Sequence, residues 1–357
     1  MRPVPYCKYY KYLGVNINEH IDFKFTVDKH SDSAGRALST FITKIIKNSG
    51  FPYKVYAMLY NACVTSIADY SGAVTGFDKY DSAMKIHLRA IRAFLGVPKN
   101  VCSVGLLSEV DLLLPQYRTN ICMIRQYHRM QCLDDNKLAK KIFVWDRALN
   151  ENNIVKTWST EVKSIFEQTN KLAVYAANNV FCLRSVVGDM TCSLKIKQQE
   201  YLIRECGLMP KLRTFNLFKD FQEQPSYITK PLTFHHRRML ARTRLGCLPL
   251  RVETGRYSVP RLPEHMRTCL MCRGPDQLVD VNGVYFGPVE TETHFLYECE
   301  AYSAERGIWF GKMILPGDFE TLPVEIKLKT VLNDQENIKF TAQFIVEALN
   351  IRSKLMK

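Results

Sequence analysis

Four side chains near the end of the sequence have the types and the spacing of a metal site. Cys269 and Cys272 stand in a C-x2-C turn, and His294 and Cys299 follow in an H-x4-C arrangement. Thiolate and imidazole groups are the usual ligands of tetrahedral Zn²⁺, and C-x2-C is a common spacing for presenting two of them. The pattern therefore predicts one zinc ion bound by three cysteines and one histidine.

Other interpretations of the same residues remain open at the level of sequence. His265, four residues before Cys269, is an alternative metal ligand. A C-x-x-C pair can also be a redox centre, but no βαβ pattern leads into this one. Cysteine is also often a small buried apolar side chain. The order of matched ligand types favours zinc over these alternatives.

Two local elements are expected to position the ligands. The gap between the two halves contains VDVNGVYF, in which Asn282-Gly283 is a strong type I′ turn signal between alternating apolar residues. A hairpin there returns the chain on itself, so the long insertion need not separate the two halves in space. The acidic ETET that precedes the second half suits a helix N-terminus, and THFLYEC is predicted to begin a helix.

The sequence just before the metal motif is strongly basic. The chain has a formal net charge of +14, and the segment from Lys230 to Arg267 holds nine Lys or Arg against two Glu, an excess of +7. Such a stripe is typical of proteins that neutralise phosphates, although charge runs are also common on solvated helix faces. LTFHHRRMLARTRLG is predicted to form a basic amphipathic helix. We expect nucleic-acid contacts from this helix and the residues after it, namely Arg237, Arg238, Arg242, Arg244, Arg251 and Arg256.

Most of the remaining chain predicts helices. Residues 8–25 alternate as a hairpin does. Apolar residues then recur at helical spacing in the ranges 26–50, 52–66, 80–96, 116–132, 137–149, 151–170, 194–206 and 335–353. The helix at 80–96 carries Lys85, Arg89 and Arg92 opposite its apolar ridge, a second candidate for phosphate contacts. The predicted fold class is mainly α: an N-terminal β-hairpin, a helical bundle, and a small zinc-knuckle module with its own hairpin and a C-terminal helix.

The composition excludes several classes of protein. A hydrophobic content of 46% and a charged content of 24% are ordinary for a folded globular chain. No stretch approaches the ~18 consecutive apolar residues of a membrane span. The N-terminal MRPVPYCKYYKYLG lacks the apolar region of a signal peptide. With twelve cysteines, this predicts a reducing intracellular location, in the nucleus or alternatively in the cytoplasm.

The sequence contains no recognisable catalytic constellation. It has neither a Gly-rich phosphate loop nor a G-x-S-x-G elbow. Asp134-Asp135 is the only adjacent pair of aspartates, and paired carboxylates hold the metals of polymerases. The surrounding pattern is helical, however, so the pair is predicted to lie in a turn that caps the next helix. We therefore expect no enzymatic activity from this chain.

Three parts of the chain together resemble the C-terminal part of a reverse transcriptase from non-LTR (LINE-type) retrotransposons. KYLGV at 11–15 looks like the Y-L-G hairpin that closes the palm of that family. AGRAL, LYNACVTSIADYSG and LRAIRAFLGVP are similar to the helices that follow it. RLGCLPLRVETGRY, the C-x2-C pair and ETETHFLYECEAYSAER are similar to its zinc-knuckle tail.

The resemblance implies thumb-like helices and a zinc tail that bind RNA or the primed target DNA, with no membrane partner. It assigns the zinc to Cys269, Cys272, His294 and Cys299. The family's catalytic carboxylates lie upstream of the Y-L-G motif, and this sequence begins only seven residues before Lys8, so we expect binding without polymerisation. One alternative is part of an active RNA-directed DNA polymerase whose palm lies upstream of this chain. Another is a zinc-stapled protein-interaction scaffold.

These observations predict five consecutive segments. The segment QPSYITKP at 224–231, which has a proline near each end, is the candidate linker before the basic helix. The predicted segments are a palm-end β-hairpin (1–25), a thumb-like helical domain (26–135), a helical connector (136–228), the basic helix with the CCHC zinc knuckle (229–312) and a C-terminal helix (313–357).

Overall fold

A computed structural model describes residues 7–46, 52–76, 80–151, 157–272 and 287–356. Within these ranges the chain is mainly helical, which confirms the mainly α class that the sequence predicts. Two short strands, β1 (Tyr10–Tyr12) and β2 (Val15–Ile17), form an antiparallel hairpin in which Tyr10 pairs with Ile17. The predicted N-terminal hairpin is therefore present, while the hairpin predicted at 279–286 lies outside the described residues.

The described residues form eighteen α-helices. The first nine are α1 (Lys24–Phe41), α2 (Tyr53–Tyr60), α3 (Ser66–Ala68), α4 (Gly72–Thr75), α5 (Asp81–Leu95), α6 (Ser103–Ser108), α7 (Pro115–Gln131), α8 (Leu138–Glu151) and α9 (Trp158–Gln168). The next nine are α10 (Leu172–Ala177), α11 (Leu183–Gly207), α12 (Arg213–Phe218), α13 (Ser226–Thr229), α14 (Phe234–Arg244), α15 (Arg251–Thr254), α16 (Ser303–Lys312), α17 (Val324–Leu332) and α18 (Ile338–Leu355). Turns of π-helix lie at Ile42–Ile46, Asn61–Thr65 and His294–Glu298, and 3-10 turns at Pro210–Leu212, Glu264–Met266, Glu300–Tyr302 and Phe319–Thr321.

Two helices start earlier than their sequence pattern predicts. The side chain of Asp22 accepts a hydrogen bond of 2.8 Å from the backbone N–H of Lys24. This satisfies one of the unpaired backbone N–H groups at the start of α1, so the helix begins two residues before the predicted range of 26–50. Helix α11 begins at Leu183 rather than near 194. Gly188 lowers its local helix propensity, but the buried Val186 and Met190, one turn apart, secure this part of the helix against the core.

The chain divides into two compact units, each built from separate stretches of sequence. Unit 1 comprises Met1–Phe41, Ala57–Ala90 and Leu112–Tyr201, and unit 2 comprises Ile42–Tyr56, Ile91–Asp111 and Leu202–Lys357. The five consecutive segments derived from the sequence stay a prediction. No helix in the described part of the chain is long and apolar enough to cross a membrane.

Unit 1 is organised around an aromatic cluster between α7, α8, α9 and α10. Tyr127 packs edge-on against Phe143 and Phe166 and stacks on Tyr175, with ring centroids 5.3–5.5 Å apart. Arg147 donates a hydrogen bond of 2.8 Å to the Tyr127 hydroxyl, so the polar group of the central ring has a partner. Aromatic pairs in such geometries add stability beyond their buried area.

The connection between α7 and α8 holds the only adjacent pair of aspartates. Asp134 accepts a hydrogen bond of 2.8 Å from the backbone N–H of Asn136, and both aspartates are exposed. This geometry is that of an Asx turn. The prediction that Asp134-Asp135 lies in an interhelical turn is therefore confirmed.

Unit 2 is built on its C-terminal helix. Helices α14 and α16 both pack against α18, and the Trp309 ring of α16 stacks on Phe344 of α18 with centroids 4.3 Å apart. Phe295 packs against both Tyr302 and Phe344. The predicted C-terminal helix therefore docks on a core, as its apolar spacing indicated.

The segment 224–231 is not an exposed linker. It contains α13, whose Ser226, Tyr227 and Ile228 are buried in unit 2. The Tyr227 hydroxyl donates a hydrogen bond to the buried carboxylate of Glu109. The prolines at the two ends indicate only where this short helix is bounded, so the predicted linker is wrong.

Candidate metal centre and basic residues

The four predicted metal ligands come together in unit 2. One ligand atom from each of Cys269, Cys272, His294 and Cys299 lies within 4.8 Å of all the others. The Sγ of Cys299 is 3.8 Å from the Sγ of Cys269 and 3.3 Å from that of Cys272. A tetrahedron with metal–sulfur bonds of about 2.3 Å has edges of about 3.8 Å, whereas a disulfide bond is about 2.05 Å long. The spacing fits one shared ion and not a disulfide.

The alternative ligand does not take part in this cluster. His265 lies in the 3-10 turn Glu264–Met266 and is exposed. Its side chain is not among the groups that converge on the site in the described residues. The ligand set chosen from the sequence is thus the one that the structure brings together.

Backbone pairing brings the two halves of the motif side by side. Thr268 and Val289 form an isolated antiparallel bridge. The N–H of Cys269 donates to the carbonyl of Pro288 at 2.8 Å, and the N–H of Glu290 donates to the carbonyl of Arg267 at 3.0 Å. These bonds flank the C-x2-C turn, so the chain returns on itself as the long middle segment requires. The second half then enters the π-helical turn His294–Glu298, in line with the predicted start of a helix.

Hydrogen bonds around the imidazole orient it for metal binding. The Nε2 atom of His294 lies 3.3 Å from the Sγ of Cys272, and its Nδ1 lies 3.2 Å from Oε2 of Glu298. A proton on Nδ1 donated to this carboxylate leaves Nε2 with a free lone pair directed at the site. Carboxylates commonly fix the tautomer and orientation of metal-bound histidines in this way.

The thiols share their protons unequally. The hydrogen bond from Cys299 lowers the pKa of Cys269 to about 3. The same bond, from the donor side, raises the pKa of Cys299, and burial raises the pKa of Cys272. The group therefore favours one thiolate stabilised by its neighbours. A divalent cation binds the thiolate form of cysteine, so it would displace the remaining thiol protons.

Buried ion pairs connect the site to distant helices of unit 2. The carboxylate of Glu290 lies 3.7 Å from the Sγ of Cys269 and accepts a hydrogen bond of 3.0 Å from Arg352 of α18. Glu292 accepts from Thr214 of α12 at 2.9 Å and forms an ion pair of 3.1 Å with Arg213. The metal-binding segment is thus part of the unit 2 core rather than a freestanding knuckle.

Arg306 supports the second half of the site from α16. Its guanidinium donates to the carbonyl of Leu296 at 2.9 Å and to that of Cys299 at 2.6 Å. These carbonyls belong to the π-helical turn and its C-terminal cap, where backbone acceptors need outside partners. Burial lowers the pKa of Arg306, and the nearby Cys299 and Cys272 partly oppose this change.

Two arginines of the predicted basic helix are buried in unit 2, which corrects the sequence-based assignment. Arg244 is 1% exposed and donates to both carboxylate oxygens of Glu109, at 2.7 and 3.0 Å. Arg237 is 3% exposed, donates to the carbonyl of Phe94 at 3.2 Å and lies over the ring of Phe94. Since these groups are enclosed by protein, Arg237 and Arg244 do not reach a phosphate in this structure.

The other predicted contacts of this region are more accessible. Arg238, Arg242, Arg251 and Arg256 are all partly exposed. Arg256 lies 3.5 Å from the carboxylate of Glu253, an ion pair one helical turn apart. The Nε atoms of Arg238, Arg242 and Arg251 are buried and have no acceptor among the described residues. The four arginines remain candidates for anion contact.

The three residues of the predicted basic ridge of α5 lie in different environments. Lys85 and Arg89 are exposed, and Arg89 donates to the hydroxyl of Ser39 at 2.8 Å. Arg92 is partly buried and donates to the hydroxyl of Ser103 at 3.2 Å. Burial lowers the pKa of Arg92. The three residues share one helix, but Lys85 is the most open of them to a ligand.

Several residues that shape the metal site were missed from the sequence. Glu298 stands four residues after His294, a spacing that places two side chains on one helical face, so a local signal for it existed. Glu290, Arg306 and Arg352 had no such signal. Arg352 is 62 residues from its partner Glu290, and only the tertiary fold joins them.

Comparison of the chain with known protein families, with curated proteins and with solved structures found no match.

Proposed function

We propose that Cys269, Cys272, His294 and Cys299 bind a structural zinc ion and that the chain is a nucleic-acid-binding protein. The observation that supports zinc is the convergence of three sulfurs and one imidazole nitrogen within 4.8 Å. Thiolate and imidazole ligands select Zn²⁺ over Mg²⁺ and Ca²⁺, which prefer oxygen. Four protein ligands complete a tetrahedral shell, as in structural rather than catalytic zinc sites.

Metal analysis of the purified protein tests the zinc assignment. We expect one zinc per chain, lost in Cys272→Ser. The matched control is Cys63→Ser, because Cys63 is an exposed cysteine outside the cluster. Absence of zinc from the wild type, or equal zinc content in the Cys272→Ser variant, would contradict the proposal.

The nucleic-acid part of the proposal rests on charge. The chain carries a formal charge of +14, and Arg238, Arg242 and Arg251 reach the surface of unit 2. Contacts from such residues to phosphates position a protein without specifying sequence. The resemblance to the tail of a LINE-type reverse transcriptase suggests RNA or primed target DNA as the partner.

Salt dependence of binding tests this partner. For single strands, log affinity is expected to fall by about 0.7 for each phosphate contact per tenfold rise in salt. We expect the slope of log affinity against log salt to correspond to several phosphate contacts, both for single-stranded RNA and for single-stranded DNA. Fluorescence anisotropy from 50 to 200 mM salt measures it. Binding that is absent at low salt, or insensitive to salt, argues against a nucleic-acid partner.

We further propose that the chain alone does not polymerise DNA. The adjacent aspartates lie in an exposed turn between helices, whereas polymerase carboxylates converge to hold two metal ions. Primer extension with Mg²⁺ or Mn²⁺ is expected to give no product. Template-dependent incorporation that disappears in Asp135→Ala would overturn this expectation.

One observation favours the protein-interaction scaffold as a second candidate. Leu138, Ile142 and Trp145 of α8 are exposed, and Ile142 also lines, together with Trp158, a mainly apolar cavity of about 760 Å³ in unit 1. Exposed apolar patches often mark contacts with other proteins. Normal zinc content combined with no nucleic-acid binding at low salt would favour this candidate.

A further inference from the structure

Helix α14 carries four arginines, which lie in two different environments within unit 2. Arg244 and Arg237 are enclosed and bonded to acceptors of the protein itself. Arg238 and Arg242 lie one turn apart and are only partly buried. Their Nε atoms are inaccessible to solvent and have no hydrogen-bond acceptor among the described residues. Arg237 and Arg244 thus have hydrogen-bond acceptors within the protein, whereas the Nε atoms of Arg238 and Arg242 have none among the described residues.

The unsatisfied pair is held in place rather than free in solvent. Gly96, just after the end of α5, has φ +67, and a Cβ there would lie 2.9 Å from Cγ of Arg238. The aliphatic part of Arg238 therefore packs directly on the backbone of Gly96. Burial lowers the pKa of Arg242, and the neighbouring positive charge of Arg238 lowers it further.

Two neighbouring guanidinium groups without acceptors for their Nε atoms lower the stability of the folded protein unless an anion binds to them. Like charges one turn apart on a helix destabilise it, and a buried donor without an acceptor loses its hydration without compensation. The Cβ atoms of residues four apart are about 5–6 Å from one another, so both side chains can reach the same phosphate or two adjacent ones. Guanidinium groups match phosphate oxygens with paired hydrogen bonds.

We infer that Arg238 and Arg242 form a phosphate-binding site on unit 2, and that this site contacts the backbone of a bound nucleic acid. The identity of the partner rests on the proposed function, whereas the phosphate site rests on the two arginines themselves. Arg237 and Arg244 have structural roles in this assignment, although the sequence presents all four side chains alike.

Two probes test the site, with three double variants of the full chain. Inorganic pyrophosphate is titrated while the melting temperature is followed, and a labelled single-stranded oligonucleotide is titrated at several salt concentrations. Arg238→Gln with Arg242→Gln removes the site. Arg125→Gln with Arg129→Gln is the matched control, because these residues of α7 are exposed and have the same spacing. Arg238→Lys with Arg242→Lys keeps the charge but loses the planar fork.

We expect pyrophosphate to raise the melting temperature of the wild type and of the control, but not that of the Arg238→Gln/Arg242→Gln variant. The salt slope of this variant should fall by about 1.4, or 0.7 for each lost contact, while the control keeps the wild-type slope. The lysine variant should keep the slope and bind more weakly. Without ligand, the glutamine variant should melt at or above the wild-type temperature, because it loses no internal partner.

The possible outcomes distinguish failure of the phosphate-site inference from failure of the proposed nucleic-acid partner. If the glutamine variant matches the wild type with both probes, the inference is overturned, and nucleic-acid binding by the wild type would still support the proposed function. If the wild type binds no oligonucleotide but loses its pyrophosphate response in this variant, the phosphate site stands and the proposed partner is rejected. A response equally reduced in the control would show a nonspecific effect of net charge and would also overturn the inference.

Discussion

At the scale of single residues, Glu109 is a carboxylate that several buried side chains of unit 2 contact. It is fully buried, accepts two hydrogen bonds from Arg244 and one from Tyr227, and lies 3.8 Å from the ammonium of Lys219. Burial opposes its ionisation, but Arg244 and Lys219 outweigh this and hold the pKa of Glu109 below its ordinary value of 4.5. The carboxylate is therefore ionised in the folded protein.

Replacement of this carboxylate tests its role. Glu109→Gln leaves two buried cations without their counter-charge, and breaking a buried pair in this way costs about 3–5 kcal/mol. Because the folded pKa of Glu109 is lowered, its contribution is complete above pH 4.5 and is lost as the pH falls through the folded value. Urea unfolding at pH 7 and at lower pH should show a difference between wild type and variant that shrinks on acidification.

The exposed Glu347 of α18 provides a control for this measurement. Glu347→Gln removes the same charge from the surface, where substitutions usually change stability by less than about 0.5 kcal/mol. If Glu109→Gln were no more destabilising than this control, the buried network would not stabilise unit 2.

At the scale of elements, the junction between α5 and α14 depends on one glycine. Gly96 ends α5 in a left-handed conformation, with φ +67, which side chains with a Cβ adopt at a cost of about 1–2 kcal/mol. Arg238 occupies the space that a Cβ would need. Gly96 therefore both ends α5 and leaves the space in which the side chain of Arg238 lies.

Alanine substitutions at two glycines test this junction. Gly96→Ala should destabilise the protein by at least about 1–2 kcal/mol and should also weaken the pyrophosphate response by moving Arg238. Gly188→Ala is the matched control. A Cβ at Gly188, inside α11, meets nothing within 4 Å, so this change should stabilise the protein by about 1 kcal/mol. Thermal and urea unfolding measure both variants, and a neutral Gly96→Ala would contradict the junction described above.

At the scale of the whole molecule, the metal site belongs to a unit assembled from distant stretches. Glu290 and Glu292 join residues around the site to α18 and α12, and Phe295 packs on Phe344. Structural zinc contributes folding free energy directly. Loss of the ion is therefore expected to loosen α12, α16 and α18 together with the ligand segment.

Hydrogen exchange after chelation tests how far this effect extends. Amides in 213–218, 268–272, 287–312 and 338–355 should lose protection when zinc is removed, whereas those of α7, α8 and α9 in unit 1 should keep it. The Cys272→Ser variant without chelator should reproduce the pattern, and Cys63→Ser should not. Loss confined to the ligand segment would show that the knuckle is an appendage, and loss throughout both units would show that the whole chain depends on the metal.

Sequence reasoning identified what depends on neighbouring residues. Most of the longer helices, the N-terminal hairpin and the aspartate turn follow from periodicity and local turn signals, which act over a few positions. The metal ligands were predictable because their types and order restrict the chemistry, although the two halves are separated by a long insertion. The start of α11 was missed because core packing there outweighs local propensity.

The arginines of α14 show what only the tertiary structure decided. In sequence, Arg238 and Arg244 are alike, and no local pattern separates an arginine that stays partly exposed from one that is buried. Glu109 lies 135 residues from Arg244 in the chain, and its carboxylate makes burial of that guanidinium possible, since a buried charge requires a partner. Arg238 has no such partner among the described residues and lies against Gly96. The difference arises because burial and ion pairing depend on residues that only the folded chain brings together.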